Sequence, residues 1–347
     1  MLGPAFWTQL RSPVLVIAVL LTASAPSWLP PYFLGIAILT LFYVAFALSW
    51  NIVGGISGLL SLGHSVFVGI GAILTSALLL SYGVNMWLGI AVSAAAAAGI
   101  GAAIAWIDYR FRLGHLSFAL ITLAFGEVFQ LVVFGSDLLG GASGLNLPAE
   151  TGQLAAFNFG SSHGYLWLAL SLAAVCLVAN LLVLNTRLGY FLRCMRDNEE
   201  AAQAIGIDLL RCKVVAMALS AALSAIVGGA YARYTVFVDP YMFADPSLTI
   251  EIVLVATIGG LGTPFGPLIA TVVLVPFAEL LRGALGSQLP GLHYFIYGAL
   301  IVAVTLTMPR GIVPTAQAWW AARRDRRAAL ETARETTPAL LQETGRK

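Results

Sequence analysis

Charge is what this chain has least of. Asp, Glu, Lys and Arg make up 10% of its 347 residues, where a soluble domain carries about a quarter. That scarcity excludes a water-soluble globular fold. The 59% apolar content excludes disorder, which needs low hydrophobicity with high charge. A formal net charge of +2 is too small for a nucleic-acid binder. Cysteine is scarce as well: Cys176, Cys194 and Cys212 form no evenly paired disulfide framework and no CxxC metal knuckle. No GxxxxGK[ST] phosphate loop occurs anywhere, so no nucleotide cofactor is expected on this chain. A cleavable signal peptide is not expected either. Arg11 precedes an apolar run, but Trp28-Leu29-Pro30-Pro31 follows where a small-residue cleavage site would stand.

What the chain has in abundance is apolar runs. A bilayer core of about 30 Å takes roughly 20 apolar residues of helix. Ten runs qualify: 13–25, 32–52, 60–81, 86–107, 115–135, 165–185, 214–234, 248–261, 265–281 and 292–308, of which the first and eighth are short. The expected fold is an all-α polytopic transmembrane bundle of about ten spans, with eight as the lower bound. Lys and Arg stay on the cytoplasmic side. With the N-terminus inside, Arg11, Arg110, Arg112, Arg187, Arg193, Arg196, Arg211, Lys213, Arg310 and the tail all fall in the cytoplasm. That is 16 of 18 cations, leaving Arg233 and Arg282 outside. The outer segments hold Asp137, Glu150, Asp239 and Asp245. Both termini are therefore expected in the cytoplasm, with a membrane domain over residues 1–312 and a basic tail over 313–347. In the tail, Arg323, Arg324, Arg326 and Arg327 alternate with Ala, Leu and acids. This fits either a helix lying on anionic lipid headgroups or a frayed end.

Two connections are longer than topology requires: an outer one over 136–164, rich in Gly, Ser and Asn, and an inner one over 186–213. The inner loop holds Arg196-Asp197-Asn198-Glu199-Glu200-Ala201-Ala202-Gln203-Ala204-Ile205-Gly206-Ile207. Asp197 is placed to cap a helix whose Glu200, three residues on, completes a capping-box pattern. Gly206 supplies a left-handed C-terminal cap. The rod this spacing predicts is about 13 Å long, too short to hold itself together in water.

Glu200-Ala201-Ala202 followed by Gly206 is similar to the EAA signature of ABC-importer permeases, and the wider string resembles the branched-chain amino acid permease family. Several other stretches share the resemblance. They are Ala47-Leu48-Ser49-Trp50-Asn51, Gly58-Leu59-Leu60-Ser61-Leu62-Gly63-His64, Phe67-Val68-Gly69-Ile70-Gly71-Ala72, Phe118-Ala119-Leu120 with Thr122-Leu123-Ala124-Phe125-Gly126-Glu127, Gly140-Gly141-Ala142-Ser143-Gly144-Leu145 and Gly259-Gly260-Leu261-Gly262-Thr263. Together they cover roughly 35–312, with a departure at Trp50, where a smaller or aliphatic residue is commoner. The resemblance implies a transporter subunit of the bacterial inner membrane that hydrolyses nothing itself and forms half of a heterodimeric pore. It further implies a sister permease, two ATP-binding subunits that use the ATP, and a periplasmic substrate-binding protein. It also implies that Arg196, Asp197, Asn198, Glu199, Glu200, Ala201, Ala202 and Gly206 couple the pore to an ATPase subunit. The cargo would be a branched-chain amino acid, with urea, short amides or other amino acids as alternatives.

Residues 54–71 hold six glycines with Ser57, Ser61, His64 and Ser65 between them. Such texture fits a helix broken at membrane depth, lining a cavity, or close helix packing. Residues 257–270, beginning at Thr257, repeat it. Candidate pathway residues are therefore Asn51, Ser57, Ser61, His64, Glu127 and Thr257, with local packing or capping the competing role for each. Glu127 lies mid-span, where a charge must face protein or water; it is also the one good coupling acid for an ion-driven secondary transporter. Two GxSG matches, at Ser57 and Ser143, raise an intramembrane protease as a remote alternative.

Overall fold

The computed structural model describes residues 30–148, 161–243, 245–285, 292–308, 311–315 and 318–319. The apolar run at 13–25 and the arginine cluster of the tail lie outside the described residues. The chain forms α1 (Pro31–Ile56), α2 (Ser65–Tyr82), α3 (Met86–Phe111), α4 (His115–Phe134) and α5 (Ser162–Asn185). Two short helices follow, α6 (Arg187–Asp197) and α7 (Glu199–Ala204). Then come α8 (Leu209–Thr235), α9 (Pro240–Phe243), α10 (Pro246–Gly259), α11 (Gly266–Leu285) and α12 (Leu292–Thr307). Among the described residues, eight helical segments are long and apolar enough to cross a membrane, α9 and α10 counting together as one. They coincide with the second to ninth apolar runs. α12 coincides with the tenth but has only 16 residues.

Helix ends follow local chemistry. Pro31 opens α1 with a φ already suited to a first turn. Asn85, Asp208 and Asp245 cap α3, α8 and α10 by accepting backbone N–H bonds from Trp87, Arg211 and Ser247. At the outer connection, β1 (Leu145–Asn146) pairs antiparallel with β2 (Phe237–Val238). Beneath it Arg233 is buried and donates to the Pro148 carbonyl at 2.7 Å.

α8 is the central beam, packed along α3 and against α1 and α2. Its contact with α2 depends on two glycines. A Cβ on Gly71 would run into the Ala225 carbonyl, and one on Gly228 would run into the Val68 carbonyl. Backbones meet there because nothing stands between them, the usual way helices associate in a medium as apolar as themselves.

The glycine-rich stretch is a true interruption. α1 ends in a π turn over Ile52–Ile56, residues 57–64 leave the helix, and α2 contains a second π turn at Ile70–Leu74. Non-helical backbone at membrane depth must find partners inside the protein. Here they come from side chains of other elements. Trp50 Nε1 donates to the Ser61 carbonyl at 2.9 Å, Thr122 Oγ1 accepts from Leu62 N at 3.0 Å, and Thr249 Oγ1 accepts from Ser65 N at 2.7 Å. The indole of Trp50, where the chain departs from the family pattern, thus helps hold the break.

Candidate functional site: a short helix tied into the bundle

The expected inner loop is mostly helix. α6 takes its first half, α7 sits at its centre, and α8 begins at Leu209, five residues before the apolar run. One detail of the expected cap is corrected. Asp197 is the last residue of α6, and Asn198, extended at φ −162°, is the residue that caps α7, accepting from Ala201 N at 2.9 Å. The helical backbone of Asp197 leaves its carboxylate beside Arg196, 3.6 Å from Nε. The capping box with Glu200 does not form. The C-terminal expectation holds: Gly206 sits at φ +88° with open space around it.

The rod is anchored by its first residue. Lys213 Nζ of α8 lies 2.9 Å from Glu199 Oε1 and 2.8 Å from Asp108 Oδ2 of α3. The Lys213 side chain is 3% exposed and that of Asp108 fully buried, whereas Glu199 is 32% exposed. Asp108 Oδ1 has no hydrogen-bond partner among the described residues. One lysine therefore joins a short surface helix to two spanning helices. Truncating one member of such a buried pair costs about 3–5 kcal/mol, because a desolvated charge is left behind.

Arg196, at the end of α6, reaches deeper. Its Nη1 donates to the Gly55 carbonyl at 3.0 Å, in the π turn of α1. A Cβ on Gly262, in the α10–α11 turn, would fall 2.6 Å from the same nitrogen, and one on Gly58 would strike the arginine stem. The two glycine-rich breaks thus converge on one guanidinium. Asn51 binds them from the other side: Oδ1 accepts from Gly262 N at 3.2 Å, and Nδ2 donates to Thr263 O at 3.2 Å and to Asn180 Oδ1 of α5 at 3.0 Å. A cleft of about 620 Å³ between the α3–α4 turn and α7, lined by Arg110, Arg112, His115 and Glu200, flanks the anchored helix. On α7 itself Ala202 is buried, Ala201 and Ala204 are exposed, and Ile205 just beyond stands 75% exposed beside Gly206. That is an apolar tip with nothing over it among the described residues.

Residues 32–305 match the family model described as branched-chain amino acid transport system / permease component. The chain belongs to this permease family. It is 27% identical over 334 residues to the high-affinity branched-chain amino acid transport system permease protein LivM of Escherichia coli (strain K12), across 88% of this chain and 76% of that protein. It is 28% identical to the protein of the same name from Salmonella typhimurium, across 80% of this chain and 69% of that one. A probable branched-chain amino acid transport permease protein LivM from Methanocaldococcus jannaschii is 26% identical across 62% of this chain and 64% of its own length. No solved structure matches. The permease is accordingly a multi-pass membrane transporter subunit, working within a larger complex.

The six pathway candidates of the permease separate into two groups. Asn51, Ser57, Ser61 and His64 gather at the break and are buried. His64 Nε2 is 2.7 Å from Ser224 Oγ, which is in turn 2.7 Å from Ser49 Oγ, while Ser61 Oγ and His64 Nδ1 have no partner among the described residues. Glu127 and Thr257 instead lie on exposed faces of α4 and α10, with Thr257 Oγ1 bonded to Val253 O. Ser57 and Ser143, the two GxSG serines, give their hydroxyls to the Val53 and Gly140 carbonyls, and neither pairs with a histidine among the described residues. Asp108 carried no sequence signal beyond being an acid just past the end of the 86–107 run, and that was the available clue. Glu251, which accepts from the Tyr43 hydroxyl at 3.1 Å, was readable only as an acid near a helix end.

Proposed function

We propose that this permease forms half of a heterodimeric pore in an ATP-driven importer of branched-chain amino acids, in the bacterial inner membrane. Its sister permease completes the pore, two separate subunits bind and hydrolyse ATP, and a periplasmic binding protein delivers cargo. Helix α7 is the handle that an ATPase subunit grips. The observation that carries this reading is the Glu199–Lys213–Asp108 triad, since a handle is useful only if fixed to what it must move. When nucleotide binding draws the ATPase subunits together, the exposed Ala201, Ala204 and Ile205 seat in the partner. Glu199 then pulls on Lys213 and so on α8 and α3, while Arg196 carries the same displacement to the hinges at Gly55 and Gly262. The chain contributes no catalytic residue, metal or cofactor to this cycle. Ten spans, cytoplasmic termini and the basic tail over 313–347 on membrane lipid complete the proposal.

The test is leucine uptake by the purified complex in proteoliposomes. Uptake should require internal ATP and fail in Gly206→Val and Glu200→Lys, although both variants insert and assemble. Uptake that survives ATP depletion and collapses with the proton gradient would instead make this a secondary transporter, with Glu127 its coupling acid. Competition by urea or short amides, with none by leucine, would reassign the cargo.

A further inference from the structure

At the far end of the bundle from α7 lies a second cavity, of about 550 Å³, between α1, α8, α10, α11 and α12. Tyr231 of its wall is 18 residues beyond Lys213 on α8, a distance of about 27 Å along the helix. Its chemistry is unusual for a membrane interior. Glu251 enters from α10 and accepts from the Tyr43 hydroxyl at 3.1 Å; among the described residues no cation forms an ion pair with it, although Arg282 across the cavity is near enough to act on its charge. Arg282 of α11 also lines the cavity and, among the described residues, is ion-paired with Glu279 one turn away, at 3.1 Å. The Tyr297 hydroxyl of α12 is buried in the wall with no hydrogen-bond partner among the described residues. Leu39, Leu254 and Val275 supply apolar surface between them.

We propose that this cavity is a binding site for a free α-amino acid with an apolar side chain, occupied before cargo reaches the break at residues 57–64. A partly buried carboxylate with no ion-pair partner is stabilised by a positive group that comes to it, and the α-ammonium of the cargo is such a group. The rings of Tyr43 and Tyr231 add cation–π attraction at the same place. The cargo carboxylate takes N–H bonds from the edge of the Arg282 guanidinium that Glu279 does not use, leaving that ion pair in place, and accepts from the idle Tyr297 hydroxyl. The aliphatic side chain lies on Leu39, Leu254 and Val275. The volume falls in the range usual for small-molecule sites, with few polar groups converging on an apolar lining. A monoamine or a fatty acid would satisfy only one of the two charged groups.

This assignment rests on the proposed cargo class, and the experiment separates the two. Radiolabelled leucine is titrated onto the assembled transporter without its binding protein, while ATP-driven uptake of leucine is measured in parallel. The expected result is saturable binding that weakens about tenfold in Glu251→Gln and in Arg282→Gln, as befits loss of a charged hydrogen bond. 4-Methylpentanoate, which lacks the ammonium, should compete better in Glu251→Gln than in wild type. Leucinamide, which lacks the carboxylate, should do so in Arg282→Gln. Tyr297→Phe removes one unbonded oxygen, leaves the fold intact and should weaken binding several-fold. Normal uptake without saturable receptor-free binding, or with unchanged affinity in all three variants, overturns the site and leaves the proposed function standing. Absence of leucine uptake altogether overturns both.

Discussion

Lys213 is the residue on which most of the permease's inner architecture depends. Its ammonium is nearly sealed from water and faces two carboxylates, one fully buried. Lys213→Met should therefore cost about 3–5 kcal/mol, chiefly through the charge stranded on Asp108. The measurement is thermal unfolding of the purified complex. A second change, Asp108→Asn, should recover much of that loss. Additive losses in the double variant would mean that the two groups do not interact. Why the triad escaped sequence reading is physical: Asp108 and Lys213 are 105 positions apart, and no periodicity in an apolar run says which acid faces which base. The cap of α7 was mistaken by one residue for a related reason. Asp197 and Asn198 are equally good capping types, and the choice between them depends on where α6 stops, which is after Asp197.

Among the elements, the spanning helices were the legible part. Each is set by its own twenty or so residues, so counting apolar runs finds it wherever it packs. The break at residues 57–64 was legible as a texture of glycine and serine, but its supports were not. Trp50, Thr122 and Thr249 come from three different helices. Helix α7 has six residues and cannot be stable alone, so its two ends set its rigidity. Asn198→Ala should cost about 0.5–2 kcal/mol of helix stability. Gly206→Val, forced to a positive φ, should cost roughly 1–2 kcal/mol. Both should leave ATP hydrolysis by the complex running while leucine uptake falls, a loosening of the ratio of cargo moved to ATP consumed. An unchanged ratio in both variants would remove α7 from the coupling path.

At the scale of the whole molecule, the telling residue is Glu127. It stands on the exposed face of α4 together with Leu120, Ala124, Val128 and Leu131. It is the thirteenth of twenty residues, so about 10 Å of helix separates it from the nearer end. A carboxyl at that depth cannot face hydrocarbon without a cost of about 2.5–3.5 kcal/mol, so this face should be covered in the assembled transporter. Cysteines placed at Leu120 and Leu131 are expected to crosslink to a neighbouring subunit of the complex. Labelling of both by a lipid-soluble maleimide in the intact complex would show the face open to lipid instead. Such assembly surfaces are the least legible from one chain, because an apolar stripe reads alike whether lipid or protein will cover it.

The meeting of α8 with α2 at Gly71 and Gly228 has a mechanical corollary. If α8, which has no proline, moves as a rigid rod about that contact, its two ends travel in opposite senses. Lys213 is about 20 Å from the backbone contact and Tyr231 about 7 Å beyond it. A pull at the handle would then arrive at the tyrosine end reversed and scaled down roughly threefold, by the geometry of a see-saw with unequal arms. One vestibule should widen as the other narrows, in antiphase, with no need of a second moving part.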